Sequence, residues 1–256
     1  MKMTTLKNLV QFLDKELKLN DYSGDYSNNG LQIEGTPEIR KAVFGVDACQ
    51  ALFDAAIARN ADFIFTHHGI SWGGEPRLWT GITANRFSAL FKNSVSLYGA
   101  HLPLDANEHF GNNRVLADIA ELSELTKTCR YAGVDIGFCG SNQKNLTVKD
   151  IANRYASALP KAPVIYGNST LVPGKAVVVS GGGGMDALNA AVSSGAELLI
   201  TGEMEHIMYH PALENNITII SLGHYSSETT GPKAVCDLVA KNFDIETEFI
   251  DIYVDL

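Results

Sequence analysis

A strand–helix–strand pattern occurs twice along this chain, and the second copy lies 135 residues after the first. Residues 41–46 and 62–66 are short apolar runs typical of buried strands, separated by a helical pattern. Residues 61–66 align with residues 196–201, and the polar residues at the strand ends agree as well as the apolar ones. Apolar patterning alone makes any two such units look alike, but agreement at the polar ends favours duplication. The pattern predicts two related α/β domains.

Each copy continues through a helix to a third strand, residues 94–100 in the first and 217–223 in the second. We expect the first domain to cover residues 1–125 and the second to cover 126–246. The apolar segment 247–254 is typical of a strand, and it can return to the sheet of the first domain.

Net charge, apolar content and cysteine spacing each disfavour some classes of protein. The 256 residues carry a formal net charge of -9, which disfavours binding to nucleic acid through its phosphate backbone. There is no run of 18 apolar residues, so we expect no membrane span. The N-terminus lacks the apolar core of a signal peptide, and a cytoplasmic location is expected. The cysteines are too widely spaced for an all-thiolate zinc site, so we expect free thiols at Cys49, Cys129, Cys139 and Cys236.

Residues of metal-ligand type follow directly on three of the predicted strands. They are the adjacent pair His67-His68 and two His-x-x-x-acid segments, His101 to Asp105 and His224 to Glu228. Sites in open α/β sheets form outside the carboxyl ends of strands, so we expect a metal site in the cleft between the two domains. Imidazole and carboxylate ligands suit zinc, manganese, iron, cobalt or nickel. The set is large enough for two divalent ions side by side.

Two points about these ligands remain open from the residue types alone. Neighbours on a regular strand point to opposite faces, so we expect the strand to end before His67, with Gly69 supplying a turn. The residue types do not choose between His101 and Asp105 as ligands. His206 and His210 lie near Glu203 and can also bind metal, although helix surface is the more ordinary interpretation.

Two loops suggest contacts with a phosphate or a base. Gly181–Gly184 links a strand to a helix, where it can bind phosphate or simply form a tight turn. Trp72, Arg77 and Trp79 follow the histidine pair, and they can either stack on a base and meet a phosphate or pack within their loop.

The motifs, in combination and order, resemble the Nif-three-like family, which includes the YbgI group and whose members are often named GTP cyclohydrolase 1 type 2 homologues. The resemblance covers nearly the whole chain. It rests on residues 25–26, 29–32, 66–69, 101–106, 111–113, 182–184, 201–203 and 223–228.

The resemblance implies a dinuclear site. His68 and Asp105 would bind one ion, His67 and His224 the other, and Glu228 would bridge them. It also implies two α/β domains per subunit and a ring-shaped homohexamer, a trimer of dimers.

The expected activity is that of a metal-dependent hydrolase, with a hydroxide bridging the two ions as the nucleophile. For GTP cyclohydrolase chemistry, a small-molecule purine nucleotide would be the substrate, and Glu203 or His101 would move protons. Phosphoester hydrolysis on the same metals is a second possibility. A third is a non-catalytic ring that handles metal or binds a partner, nucleic acid included.

Overall fold

The computed structural model of the chain describes residues 3–74 and 78–255. Arg77, one of the residues considered for a phosphate contact, lies outside these ranges. The chain divides into two compact units, which we call unit 1 (Met1–Leu104 and Pro232–Ile252) and unit 2 (Asp105–Gly231 and Tyr253–Leu256).

Strands and helices alternate through most of the described chain. The strands are β1 (Thr4–Thr5), β2 (Gly30–Ile33), β3 (Glu38–Ile39), β4 (Lys41–Asp47), β5 (Phe63–His68), β6 (Ser96–Gly99), β7 (Ser123–Tyr131), β8 (Val134–Ser141), β9 (Val164–Tyr166), β10 (Lys175–Val179), β11 (Leu198–Thr201), β12 (Thr218–Ser221) and β13 (Glu246–Phe249). The helices are α1 (Leu6–Leu17), α2 (Gln50–Ala58), α3 (Gly81–Lys92), α4 (Leu102–Asp105), α5 (Asn112–Ile119), α6 (Val148–Ala158), α7 (Gly184–Ser193), α8 (Tyr209–Glu214), α9 (His224–Ser227) and α10 (Thr230–Asn242).

Unit 1 contains a five-stranded sheet in the order β13-β4-β5-β6-β2. Strands β13, β4, β5 and β6 are parallel, and β2 is antiparallel to β6. Residues Phe63, Ile64 and Phe65 of β5 are fully buried, as a central strand of a parallel sheet requires. Helix α1 begins where the side chain of Thr5 accepts a hydrogen bond from the backbone of Asn8. Its apolar stripe is buried at three- and four-residue spacing, in Leu6, Leu9, Leu13 and Leu17.

Unit 2 contains a six-stranded sheet in the order β7-β8-β10-β11-β12-β9. The parallel strands β10, β11 and β12 form its centre, and the antiparallel hairpin β7–β8 and strand β9 flank them. Helices α5 and α6 pack with this sheet around Leu116, Ile151 and Tyr155, all fully buried. The unit therefore takes in residues 105–125, which the sequence had suggested for the first domain, because α5 buries its apolar face here.

The duplication is visible in the topology of each unit taken by itself. In each, three parallel strands are joined by helices, β4-α2-β5-α3-β6 in unit 1 and β10-α7-β11-α8-β12 in unit 2. An antiparallel strand lies beside the third of them, β2 next to β6 and β9 next to β12. The predicted α/β class with duplicated strand-helix-strand units is confirmed.

Composition predicts free cysteine thiols and no membrane span. All four cysteines are free. Within residues 3–74 and 78–255, the structure has no helix long and apolar enough to cross a membrane.

Candidate metal centre

Three histidines come together at the carboxyl ends of β5 and β6 in unit 1. His67 and His68 are the last two residues of β5, and His101 follows β6 after Ala100. One ring nitrogen from each histidine lies within 4.8 Å of the other two. The ring centroid of His67 is 4.6 Å from that of His68 and 5.3 Å from that of His101. The parallel pairing of the two strands produces this convergence, because it ends both at one edge of the sheet.

The side chains of His67 and His68 come together without the turn that the sequence suggested. Strand β5 continues through His68, which is in register with Asp47 of β4. Gly69 does not have a positive φ; instead, a side chain there would collide with Gln32. The Oε1 atom of Gln32 accepts hydrogen bonds from the backbone of Ile70 at 2.7 Å and Ser71 at 3.2 Å. Glycine is needed here for the close approach of Gln32, not for a left-handed turn.

Each of these histidines uses its Nδ1 atom to contact an oxygen. The partners are the carbonyl of Ala100 for His67 at 2.9 Å, Asp47 for His68 at 2.8 Å, and Asp25 for His101 at 2.9 Å. Because carbonyl and carboxylate oxygens accept, Nδ1 carries the proton in the neutral ring and Nε2 presents its lone pair. This is the arrangement that fixes metal-binding histidines in proteins.

Asp25 holds the loop around His101 as well as its ring. Its carboxylate accepts hydrogen bonds from the backbone of Ser27 and Leu102 and from the side chain of Asn29, at 2.8 to 3.0 Å. Burial alone would raise the pKa of Asp25, but hydrogen bonds from His101 and Asn29 outweigh it and lower the pKa below its usual value. Asp25 is therefore an ionised acceptor whose role is to orient His101.

Unit 2 contains a second group of residues of metal-ligand type, and most of their donor atoms are carboxylate oxygens. Oxygens of the buried residues Asp105 and Glu228 lie within 4.8 Å of each other. His224 begins the short helix α9, and its Nε2 atom lies 3.3 Å from the carboxylate of Glu228 one turn later. Glu228 directly follows the last residue of α9, four positions after His224. Helix α9 therefore brings an imidazole and a carboxylate together.

The oxygens of Asp105 are fixed from within unit 2. The hydroxyl of Ser180 and the side-chain amide of Asn112 each donate to its Oδ1 atom at 2.9 Å. Next to Ser180, Gly181 has a φ of +61°, and a side chain there would collide with the carboxylate of Glu228. Only glycine combines this backbone conformation with room for Glu228.

Glu203 contacts His224 on the far side of the ring, with its Oε1 atom 2.7 Å from Nδ1. The hydrogen bond with Glu228 raises the pKa of His224 to about 9, with help from Glu203 and against the effect of burial. In the metal-free protein His224 is therefore an imidazolium at neutral pH, and a metal ion must displace its Nε2 proton.

The remaining sequence-predicted residues lie elsewhere in unit 2. The Gly181–Gly184 segment leads into α7, which begins at Gly184, and side chains of Glu203 and Glu205 lie close to Gly182 and Gly184. These carboxylates make the loop a poor site for phosphate. His206 and His210 are exposed, and within the described residues neither belongs to a group of possible metal ligands.

The aromatic side chain of Trp72 lies beside the histidine group in unit 1. The indole of Trp72 donates to the carbonyl of Gly69 at 2.8 Å and lies edge-on to His101, with ring centroids 5.1 Å apart. Trp79 instead packs against Phe87 on α3. Trp72 thus belongs to the surroundings of the histidines, whereas Trp79 packs on a helix.

The donor set fits divalent transition-metal ions. Imidazole nitrogens and carboxylate oxygens are both present, and each histidine is oriented through its other ring nitrogen. Sequence reasoning did not identify Asp47, Ser180 or Asn112 as supports. Asp47 carries the signal that could have found it, since it ends β4 as His68 ends the neighbouring β5.

These features define a class: a duplicated α/β protein with side chains suited to divalent metal ions at its strand ends. The profile of the Duf34/NIF3 family, described as NGG1p interacting factor 3, matches residues 4–255. The chain belongs to the Duf34/NIF3 family, and the resemblance inferred from the motifs is confirmed.

Individual relatives match over almost their full length. A protein of Archaeoglobus fulgidus named GTP cyclohydrolase 1 type 2 homolog is 40% identical over 251 residues, covering 98% of this chain and 99% of its own. The solved structure of the protein ybgI is 30% identical, with a TM-score of 0.89 and coverage of 99% and 100%. A structure from Thermus thermophilus is 33% identical, with a TM-score of 0.82 and the same coverage.

Proposed function

We propose that the protein is a hydrolase that depends on two divalent metal ions. The ligands proposed, following the family resemblance, are His67, His68, Asp105, His224 and Glu228. Zinc, manganese, iron, cobalt and nickel all suit this mixture of nitrogen and oxygen donors.

The observation that carries the proposal is the shared orientation of the histidines. His67, His68 and His224 each use Nδ1 to contact an oxygen, at 2.7 to 2.9 Å. An ordinary buried histidine also forms hydrogen bonds, but nothing requires several of them to gather their nitrogens within ligand distance of one another. Ring nitrogens of His67 and His68 lie within 4.8 Å of each other, and so do carboxylate oxygens of Glu228 and Asp105. The binding of a metal ion requires ligand atoms placed in this way.

When bound, two divalent ions would polarise the substrate and lower the pKa of water toward neutrality. Glu203 is placed to accept a proton, because one carboxylate oxygen holds His224 while the side chain stays 43% exposed. His101 is the second proton-moving group, since Asp25 holds its Nδ1 atom and leaves Nε2 as the atom that can exchange a proton.

The proposed substrate is a small molecule with a hydrolysable ring or amide, and a purine nucleotide is the first to test. Hydrolysis of GTP in this chemistry would open the imidazole ring at C8 and release formate. The acidic side chains of Glu203 and Glu205 beside Gly182 and Gly184 disfavour long polyanions, which supports a small substrate over nucleic acid.

The test is a formate assay with metal-loaded protein and GTP. We expect formate above the level given by the double variant His67→Ala, Glu228→Ala, and no loss in His206→Ala, whose histidine is exposed. Formate equal in the wild type and the double variant would rule out the GTP reaction. A parallel screen of phosphodiesters and cyclic amides then separates phosphoester hydrolysis from ring opening.

We also propose that the subunits form a homohexamer, as the resemblance implies. Unit 1 exposes several large apolar side chains on and before α3, a pattern typical of surfaces covered by another subunit: Leu78, Trp79, Ile82 and Phe91. Light scattering should give a mass of six chains, and an Ile82→Asp, Phe91→Asp variant should give a smaller species. A wild-type monomer would contradict this assembly.

A further inference from the structure

We propose that the side chains of Tyr26 and Trp72 form an aromatic platform on which a planar ring of the substrate stacks. The platform narrows the substrate class to small molecules with a flat conjugated ring, such as a purine nucleoside. The inference rests on the proposed function for its substrate, but the platform includes none of the proposed metal ligands and lies within unit 1. Its role is to hold the ring of the substrate beside His101.

The exposure of Tyr26 is the first observation. Tyr26 is 70% exposed, although the next residue in the chain, Ser27, is buried. The half-buried Trp72 lies next to it, with ring centroids 6.5 Å apart. Folding of the chain gains little from a large ring left in water, and adjoining exposed apolar groups of this kind mark surfaces that bind a ligand.

The loop that carries Tyr26 is fastened to the loop that carries Trp72. Ser27 and Trp72 pair as an antiparallel bridge, and the backbone amide of Gly73 donates to the carbonyl of Tyr26 at 2.7 Å. The side-chain amide of Asn28 donates to the carbonyl of Gly73 at 3.1 Å. Because the two rings are carried on a backbone that is already ordered, a ligand can bind them at a small cost in conformational entropy.

The orientation of the two rings suits one flat ligand. Their planes differ by 32°, so a conjugated ring laid on one of them is close to parallel with the other. Stacking of this kind accepts any base or similar heterocycle, because it uses the π face and no particular pattern of hydrogen bonds. It also requires no positive charge on the protein, which fits a chain with a net charge of -9.

The platform lies beside the histidine group of unit 1. The ring centroid of Trp72 is 5.1 Å from that of His101 and 6.0 Å from that of His68. The indole N–H of Trp72 donates to the carbonyl of Gly69, which fixes the ring in this place. A ligand in van der Waals contact with the indole, about 3.5–4.0 Å away, therefore lies next to both histidines. Tyr26 and Trp72 are positioning residues for the ring on which His101 acts.

Gly73 allows a test that moves the ring of Tyr26 without removing it. Gly73 has a φ of +59°, and a side chain there would collide with the ring of Tyr26. Gly73→Ala therefore displaces that ring. Gly81→Ala is the matched control, because Gly81 has a φ of +57° with open space where a Cβ would lie. Both variants carry the same backbone strain, so a difference between them reports on the platform.

The experiment is a fluorescence titration of metal-free, full-length protein with guanosine. The chain has two tryptophans, so Trp79→Phe leaves Trp72 as the only indole and makes it the reporter. Trp79 packs against Phe87, and phenylalanine keeps an aromatic ring in that contact. We expect guanosine and adenosine to quench Trp72 with saturation, and ribose, which has no aromatic ring, to leave the fluorescence unchanged.

In the Trp79→Phe background, Tyr26→Leu and Gly73→Ala should each weaken the binding of guanosine by about 5-fold or more, the contribution of one stacked base. Tyr26→Phe keeps the ring and should bind guanosine as the parent protein does. Gly81→Ala should bind normally, and so should Tyr131→Leu, which changes an exposed tyrosine of unit 2.

Circular dichroism checks that each variant folds. An affinity for guanosine that is unchanged in both Tyr26→Leu and Gly73→Ala would overturn the proposal, as would saturable quenching by ribose. Light scattering tests whether a second copy of the chain covers the platform instead. A smaller assembly in Tyr26→Leu, together with no quenching of Trp72 by guanosine in the parent protein, would also overturn it.

The platform and the hydrolase can fail separately, because the binding of guanosine needs neither metal nor turnover. Quenching of Trp72 by guanosine, with no formate released from GTP, contradicts the GTP reaction alone. Formate released from GTP with the same kcat/KM in the parent protein, Tyr26→Leu and Gly73→Ala contradicts the platform alone.

Discussion

The carboxylate of Asp47 lies 2.8 Å from the Nδ1 atom of His68, and the two residues are register partners on the parallel strands β4 and β5. The pairing of the strands therefore sets the tautomer of the histidine. Since strand pairing is a property of the fold, the orientation of His68 does not depend on metal being present.

Asp47→Asn should weaken metal binding without unfolding the protein. The amide can accept a hydrogen bond from His68 but carries no negative charge, so the imidazole becomes a poorer donor. We expect a loss of about 10- to 100-fold in affinity. Competition with a chromogenic chelator measures it, with the exposed residue Asp54 changed to Asn as the control. Equal affinities in the two variants would show that Asp47 does not support the site.

Gly181→Ala should lose metal binding as well as stability. An alanine held at the φ of +61° lowers the free energy of unfolding by about 1–2 kcal/mol, and its methyl group would collide with Glu228. Gly195→Ala is the matched control, because Gly195 has a φ of +65° with open space where a Cβ would lie. Urea unfolding should show a loss in both variants, larger in Gly181→Ala. Metal analysis should show a loss in Gly181→Ala alone; two variants with equal metal content would refute the steric account.

The stability of the metal-free protein should fall as pH rises from neutrality toward 9. The pKa of His224 is raised from 6.5 to about 9 in the folded state by Glu228. A group with a raised pKa stabilises the fold fully below its unfolded value and loses that effect as pH passes its folded value. Thermal unfolding between pH 6 and 10, with chelator present, should show a decline that His224→Gln lacks. Parallel curves for the two proteins would contradict it.

The repeat was the most reliable guide to the fold. Residues 61–66 and 196–201 revealed the duplicated units because buried parallel strands are apolar without interruption. Domain limits were harder to predict, since α5 looks the same in sequence whichever sheet covers its apolar face. Its fully buried residue Leu116 belongs to the core of unit 2.

The residues of metal-ligand type could be predicted from the sequence, but the residues that hold them in place by hydrogen bonds could not. His67, His68, His101 and His224 stand out because each follows or ends a strand. Ser180 and Asn112 do not stand out, because their roles depend on their approach to Asp105. Asp47 ends a strand as His68 does, but its contact with His68 depends on the register of β4 with β5. Most such contacts join residues far apart in the chain, and no spacing rule reports them.

The number of metal ions bound per chain decides whether the protein holds a dinuclear centre. Protein purified without added metal, then loaded with Zn²⁺ or Mn²⁺ and freed of excess, should be analysed by plasma mass spectrometry. We expect two ions per chain in the wild type and a clear loss in the His67→Ala, Glu228→Ala double variant. Fewer than one ion per chain, unchanged by the double substitution, would contradict it.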